Sequence, residues 1–325
     1  MKALSPYICT EKREQEFGRL ADQAGAEVEE YGQSVEGRPL QVARIPCSAA
    51  AGTAPRILLC ANIHGIEFIG NRIAHGFLEK KINNDVQVEA LCQEAELWIA
   101  PCLNPDGYAR TWEAQGVGKL PLMRQNARGV DLNRNFPLPF GKKPSWIPGT
   151  GSHQKGDATY RGEAPLSEPE VSSLVRLLEE KQFHASANLH SFMGTVITPR
   201  VLTASDFNAY GDLARALKDG QKQADGLRTG YRRLGSRHFD VFTGEQEDWQ
   251  HHALQTWAVC IESFPILASM KQNLFPDALF WRFNPKDPGP WVENDIPGIC
   301  AYFHAALKRE RPALVEQAAP SRDIW

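Results

Sequence analysis

The stretch Arg56-Ile57-Leu58-Leu59-Cys60-Ala61-Asn62-Ile63-His64-Gly65-Ile66-Glu67 opens with a short apolar run and closes on a polar His-x-x-Glu step. A strand with one wet face would alternate, so an unbroken run of this length predicts a central strand covered on both sides. Past Gly65, apolar residues recur at Ile66, Ile69, Ile73 and Phe77 with a helical period. The chain is expected to leave a buried strand through a tight turn and enter a helix, with a histidine and a glutamate at the junction.

The same pattern repeats downstream. Leu97–Leu103 is a second apolar run, ending in Asn104-Pro105-Asp106-Gly107, a turn by composition. A third strand ends at Ala187-Asn188-Leu189-His190, Thr195–Thr198 is a short fourth, and Thr256–Ile261 is a last buried strand ending at Glu262. Ser167-Glu168-Pro169-Glu170 predicts a helix start, with Ser167 as cap, Pro169 in the first turn and Glu170 in the capping-box position. Further helices are expected at 204–223, 246–254 and 298–309, the last following a Pro-rich stretch at 284–297. Upstream, residues 12–29 place Phe17, Leu20, Ala24 and Val28 on a surface helix. Val35–Pro46 predicts an edge hairpin about Glu36-Gly37-Arg38-Pro39, and Ser48–Pro55 a loop. Residues 138–163 predict a long irregular loop, and Glu310–Trp325 a tail.

Strands alternating with helices imply an α/β fold with a mixed, mostly parallel sheet and helices on both faces. One domain over 1–325, with its core at about 30–309, accounts for the whole pattern. In such sheets ligands gather beyond the carboxyl ends of the strands. His64, Asn104, His190 and Glu262 all fall there, which gives them a common site.

Composition narrows the class. The 325 residues carry 36 Lys and Arg against 39 Asp and Glu, a net charge of −3, so no basic excess points to nucleic acid. Charge arrives at Glu11 before any useful apolar run, and no stretch is long enough to span a bilayer. The expectation is a soluble, cytoplasmic protein with no membrane partner. Seven cysteines (Cys9, Cys47, Cys60, Cys92, Cys102, Cys260, Cys300) make an odd count, with no pair at metal-knuckle or redox spacing. Reduced, hydrophobe-like thiols fit better than a disulfide framework.

The chemistry sits in three places. His64 and Glu67, three apart on a turn, can face one point, and zinc accepts imidazole nitrogen and carboxylate oxygen. His190, at a strand end, can supply a third ligand, although that spacing and a lone strand-end histidine equally suit capping and core roles. The remaining histidines (75, 153, 184, 238, 251, 252, 304) have no comparable placement, and His251 and His252, on a polar helix, suit solvated side chains. The segment Met123–Pro137 is too polar for core and too organised for a linker. Its Arg124, Asn133 and Arg134 suit docking of an anionic substrate end, or a loop pinned by salt bridges.

Taken in order, several motifs resemble the zinc carboxypeptidase superfamily, which includes carboxypeptidases A, B and D and bacterial murein-peptide amidases. They are His64-x-x-Glu67, Asn104-Pro-Asp-Gly107, Arg124, Gly129-Val-Asp-Leu-Asn-Arg-Asn-Phe136, Tyr160-Arg-Gly162, Ser167-Glu-Pro-Glu170, His190-Ser191 and Glu262. The resemblance implies that His64, Glu67 and His190 hold one zinc ion, with Asp131 orienting a zinc histidine. It implies that Arg124 polarises the scissile carbonyl and that Asn133 and Arg134 bind the terminal carboxylate. Glu262 would be the general base acting on a zinc-bound water. Substrates would be peptides or cell-wall-like peptides with a free carboxylate. The competing implication is a zinc deacylase of N-acyl amino acids, resembling aspartoacylase or succinylglutamate desuccinylase.

Two departures stand out. Phe242 lies where the family's peptidases carry a tyrosine on a mobile loop, and Ile66 lies where several digestive relatives carry arginine. Glu247, just before Asp248-Trp249, falls where relatives that prefer basic residues carry a pocket acid. Its alternative is a solvent-facing position on the helix at 246–254.

Overall fold

The computed structural model describes residues 4–49, 52–139, 149–222, 230–237, 242–272 and 278–315. Parts of the expected loops at 48–55 and 138–163, the end of the helix at 204–223, His238 and the tail beyond 315 lie outside the described residues. In chain order the elements are α1 (Thr10–Gln23), β1 (Glu27–Gln33), β2 (Pro39–Ile45), β3 (Arg56–Ala61), α2 (Phe68–Ile82), α3 (Val86–Glu94), β4 (Glu96–Ala100), α4 (Pro105–Glu113) and α5 (Leu120–Arg124). They continue with α6 (Pro169–Lys181), β5 (Ala185–Ser191), β6 (Thr195–Ile197), α7 (Ala204–Gly220), β7 (Arg232–Leu234), α8 (Gln246–Leu254), β8 (Trp257–Ser263), α9 (Ile266–Gln272), α10 (Phe280–Phe283) and α11 (Gly289–Leu307).

The strands form one sheet in the order β1-β2-β4-β3-β5-β8-β6-β7. Its centre, β4-β3-β5-β8, is parallel throughout. Antiparallel pairing flanks this centre on both sides, at β2 with β4 and at β6 with β8. The apolar run in β3 has its predicted cause. Ile57, Leu59 and Ala61 pack into a core with α2, α7 and α11, while Leu58 and Cys60 pack into a second core with α6 on the opposite face. No helix among the described residues is long and apolar enough to cross a membrane. The seven cysteines are all free.

Several local expectations are corrected. The helix expected over 12–29 stops at Gln23, and Gly25, at φ +68°, turns the chain into β1. Val28 therefore sits on an edge strand, exposed, instead of on a helix face. Asn104-Pro105-Asp106-Gly107 is the start of α4, with the Asn104 side chain accepting from the Gly107 amide at 2.8 Å. At α6 the cap position falls to Glu168, without a side-chain cap, because the Ser167 hydroxyl is engaged with Asn135 and Glu168.

The last helix begins at Gly289, well before 298, and carries Pro297 inside it. Proline in a helix interior costs about 3 kcal/mol or more, so tertiary packing must outweigh it. That packing is the close passage of α11 over the end of α7 at Gly298 and Gly220. A Cβ built on Gly298 would lie 2.8 Å from the Leu217 carbonyl oxygen, and one on Gly220 would lie 2.9 Å from that of Pro297.

This contact fixes the sign of a substitution. Alanine normally gains about 1 kcal/mol over glycine inside a helix, but here the added methyl meets backbone. Gly298→Ala is expected to destabilise the fold by about 1–3 kcal/mol, read as a lower urea midpoint at unchanged slope. An increase in the midpoint would show that the two helices can part without cost.

Candidate active site

At the carboxyl end of β3 the chain turns at Asn62, which has φ +53° and whose side-chain amide donates to the Glu67 carbonyl at 2.8 Å. This turn aims His64 and Glu67 into the same space above the sheet. The turn is braced by Asn104, whose side-chain amide donates to the carbonyls of Ile63 and Arg124, both at 3.2 Å. The Gly65 amide also donates to the Arg124 carbonyl. Gly65 lies against the backbone of Gly107 with no room for a Cβ between them.

His190, near the end of β5, completes a group of three buried side chains. His64 Nδ1 lies 2.9 Å from Glu67 Oε1, and His190 Nδ1 lies 3.1 Å from both Glu67 Oε2 and His64 Nδ1. Two imidazole nitrogens and a carboxylate converge on one point, away from water. That donor set, two nitrogens and one carboxylate oxygen, is the His₂Glu set of catalytic zinc, and the ligand atoms lie close enough to share one ion.

Behind His64 stands Asp131. Its Oδ1 meets His64 Nε2 at 3.1 Å, and its Oδ2 accepts from Arg124 Nε at 2.9 Å and Nη2 at 2.8 Å. Burial disfavours charge on Asp131, but the Arg124 guanidinium outweighs it and holds the carboxyl well below its ordinary range. Glu67 behaves likewise, burial opposing and His64 and His190 prevailing, so its pKa is lowered.

A cavity of about 370 Å³ joins these groups to the rest of the site. His64, Glu67, His190, Arg124, Asn133, Arg134, Phe242 and Glu262 all line it. Glu262 lies on β8 directly across from His190 in the strand register. Burial raises its pKa above the ordinary glutamate value, His190 opposes that rise, and Glu67 adds to it. Asn133 and Arg134 stand on a 3-10 turn at Leu132–Arg134, and Asn133 Oδ1 accepts from the Gln246 amide at 2.9 Å. Arg134 lies 5.1 Å from the centre of the Phe242 ring, so Phe242 serves as an aromatic wall.

Four side chains around α8 sit where sequence reasoning did not put them. Glu247 is buried and is not among the residues lining the cavity; its Oε1 accepts from Asn188 at 2.8 Å, which excludes the solvent-facing alternative. The carboxylate that does line the cavity is Glu245, with its Oε1 3.2 Å from Arg134 Nη1. Burial raises its pKa, incompletely offset by Arg134. Nothing in the run Glu245-Gln246-Glu247-Asp248 separates these acids by type or spacing, and only Gly244 marks the turn before them. His251 and His252, expected to be solvated, are buried: His251 Nδ1 pairs with the Tyr210 hydroxyl at 2.9 Å and His252 Nε2 with the Arg200 carbonyl at 2.8 Å.

Residues 19–270 match the family model described as zinc carboxypeptidase. The chain belongs to the zinc carboxypeptidase family. Bovine carboxypeptidase O is 27% identical over 233 residues, covering 67% of this chain and 59% of that protein. The chain thus matches less than two thirds of that relative's length. The crystal structure of thrombin activatable fibrinolysis inhibitor superposes with a TM-score of 0.73 at 19% identity, covering 95% of this chain and 78% of that one. Carboxypeptidase A from Helicoverpa armigera gives 0.71 at 20% identity, covering 92% and 73%. At such identities these likenesses establish a shared fold. Zinc carboxypeptidases are zinc-dependent, and here His64, Glu67 and His190 are the side chains that fit the ion.

Purified protein loaded with zinc is expected to hold about one equivalent per chain, as a His₂Glu site does. His64→Ala and His190→Ala should each lose nearly all of it by elemental analysis after desalting. Retention of the full equivalent in both variants would rule out these ligands.

Proposed function

We propose that this protein is a metallocarboxypeptidase, hydrolysing the amide bond that precedes a free C-terminal carboxylate. The observation that carries the reading is the meeting, in one cavity, of the His64–Glu67–His190 group with a buried Arg134. Arg134 Nε is buried without a hydrogen-bond partner. Arg134 lines the cavity, and a guanidinium can take a carboxylate through parallel hydrogen bonds.

Zinc held by the three side chains would lower the pKa of a water toward about 7 and polarise the scissile carbonyl. The chain's own residues do the rest. Arg134, with Asn133 beside it, anchors the terminal carboxylate and so fixes how far the scissile bond reaches into the cavity. Arg124, held rigidly by Asp131, donates to the carbonyl oxygen as charge grows on it; losing one such donor typically costs about 10²–10³ in kcat. Glu262 takes a proton from the attacking water and passes it to the leaving amine. A carboxylate whose pKa is raised by burial suits a group that must both accept and return a proton.

For the terminal residue we propose a cationic side chain. Glu245 stands on the cavity wall, its charge offset by Arg134 and, less, by His190, which favours a lysine, an arginine or the free amine of a diamino acid. Short peptides and cell-wall-like peptides both present that chemistry.

Glu262→Gln is expected to keep zinc and the folded state while lowering kcat by about 10²–10⁴-fold. A variant as active as the wild type would remove Glu262 from the proton transfer.

One peptide panel tests the two ends of the substrate. Amidating the terminal carboxylate should abolish cleavage, because an amide offers the buried Arg134 no negative charge to take up. Lysine-ended peptides should be cut faster than leucine-ended ones, and Glu245→Gln should reduce that ratio. Equal rates on amidated peptides would point to an endopeptidase or a deacylase, and a preference for leucine would refute the role of Glu245.

A further inference from the structure

Glu67 is the N-cap residue of α2, yet its side chain makes no cap there. The position favours Ser, Thr, Asp or Asn, whose short side chain accepts from an amide of the first turn. In this chain the residue at that position is committed elsewhere, its carboxylate facing His64 and His190. The first turn of α2 therefore needs an acceptor from outside the helix.

Asn284 supplies it, from 215 residues along the chain. Its Oδ1 accepts from the Ile69 amide at 2.9 Å, and its Nδ2 donates to the Ile66 carbonyl at 2.8 Å. One side-chain amide thus grips the backbone on both sides of Glu67, while the Glu67 carbonyl itself accepts from Asn62. The Asn284 Nδ2 also donates to the Phe280 carbonyl at 3.0 Å. Turning the amide over would set its oxygen against two carbonyls and its NH₂ against an N–H, so only this orientation satisfies all three partners.

Asn284 is fully buried and is itself held in place. Its carbonyl accepts from Gln272 Nε2 at 2.8 Å, and Phe280 in α10 packs edge-on against Phe68 and Tyr7, with ring centres 5.0 and 5.3 Å away.

We propose that Asn284 is a positioning residue for the metal centre: it caps α2 in place of Glu67 and so leaves the Glu67 carboxylate free for zinc. Without it the Ile69 amide is buried with no acceptor. The side chain that helix geometry places to satisfy that amide is the one at the N-cap, Glu67 itself. Capping then competes with metal binding for the same carboxylate. The inference rests on the zinc site of the proposed function.

The test measures zinc dissociation constants of the apo-protein by competition with a chromophoric chelator, for wild type, Asn284→Leu, Asn284→Ala and Gly298→Ala. The last variant loosens the contact of α11 with α7 and controls for stability lost away from the site. Both Asn284 variants are expected to bind zinc about 10–100-fold more weakly. The visible spectrum of their cobalt-loaded forms should differ from that of wild type, because the carboxylate ligand has moved. Gly298→Ala should lower the melting temperature and leave zinc affinity and the cobalt spectrum as in wild type. Zinc affinity within twofold of wild type in Asn284→Leu, an unchanged cobalt spectrum, or an equal loss of affinity in Gly298→Ala overturns the proposal. If Asn284→Leu does not fold, Asn284→Ala decides by the same limits. A wild type that binds no zinc overturns the proposed function along with it, whereas a wild type that binds zinc beside unaffected Asn284 variants overturns the role of Asn284 alone.

Discussion

Negative charge held away from water is the constraint around which this site is organised. Glu67, Asp131, Glu245, Glu247 and Glu262 crowd the carboxyl ends of β3, β5 and β8 and the loops beside them, against the guanidiniums of Arg124 and Arg134. Asp131 claims Arg124 with two hydrogen bonds and Glu245 claims one arm of Arg134. The remaining carboxylates have to find a cation, share a proton or sit at a raised pKa. The structure separates them accordingly: Glu67 and Asp131 are pushed toward the ionised form, and Glu245 and Glu262 toward the protonated one. Carboxylates whose environments push their pKa values apart are how one cavity keeps a ligand and a proton carrier side by side.

The placement of those groups follows from the sheet. Parallel strands end on one side, so β3 delivers His64 and Glu67, β5 delivers His190 and β8 delivers Glu262 to a single rim. What the strands cannot supply, the anchor for the far end of a ligand, comes from the 3-10 turn of Asn133 and Arg134. That turn is itself tied down through Asn133 to the start of α8.

The central strands were readable in the sequence because they are covered on both faces and so lose their alternation. The residues that meet in the cavity were readable because they fall in ordered motifs that resemble a known family. The misses have separate physical causes, and at α8 the cause is that polarity is not exposure. The first residues of β1 were read into the preceding helix because its charged side chains sit on a sheet edge, where polar residues pair through their backbones and still meet water. His251 and His252 looked solvated, yet Tyr210 and the Arg200 carbonyl satisfy them inside the fold. Glu245 and Glu247 are chemically identical and two residues apart. Glu245 is the extended residue before α8 and Glu247 lies in its first turn, and that change of backbone sends one to the cavity and the other beneath it. Pro297 looked like a helix boundary because its cost is local, whereas the close contact of α11 with α7 that offsets it is invisible to any window of sequence.

The contact between Gly65 and Gly107 has a mechanical meaning. Where side chains separate two backbones, rotamer changes can absorb a displacement; here nothing soft lies between the residue after a metal ligand and the first turn of α4. Both pieces are also pinned to the Arg124 carbonyl, by Gly65 and by Asn104. His64, the segment carrying Arg124 and the start of α4 therefore move as one body. A push that tilts α4 from the outer surface arrives at the metal centre undamped, so this helix acts as a lever on the ligand geometry from well outside the cavity.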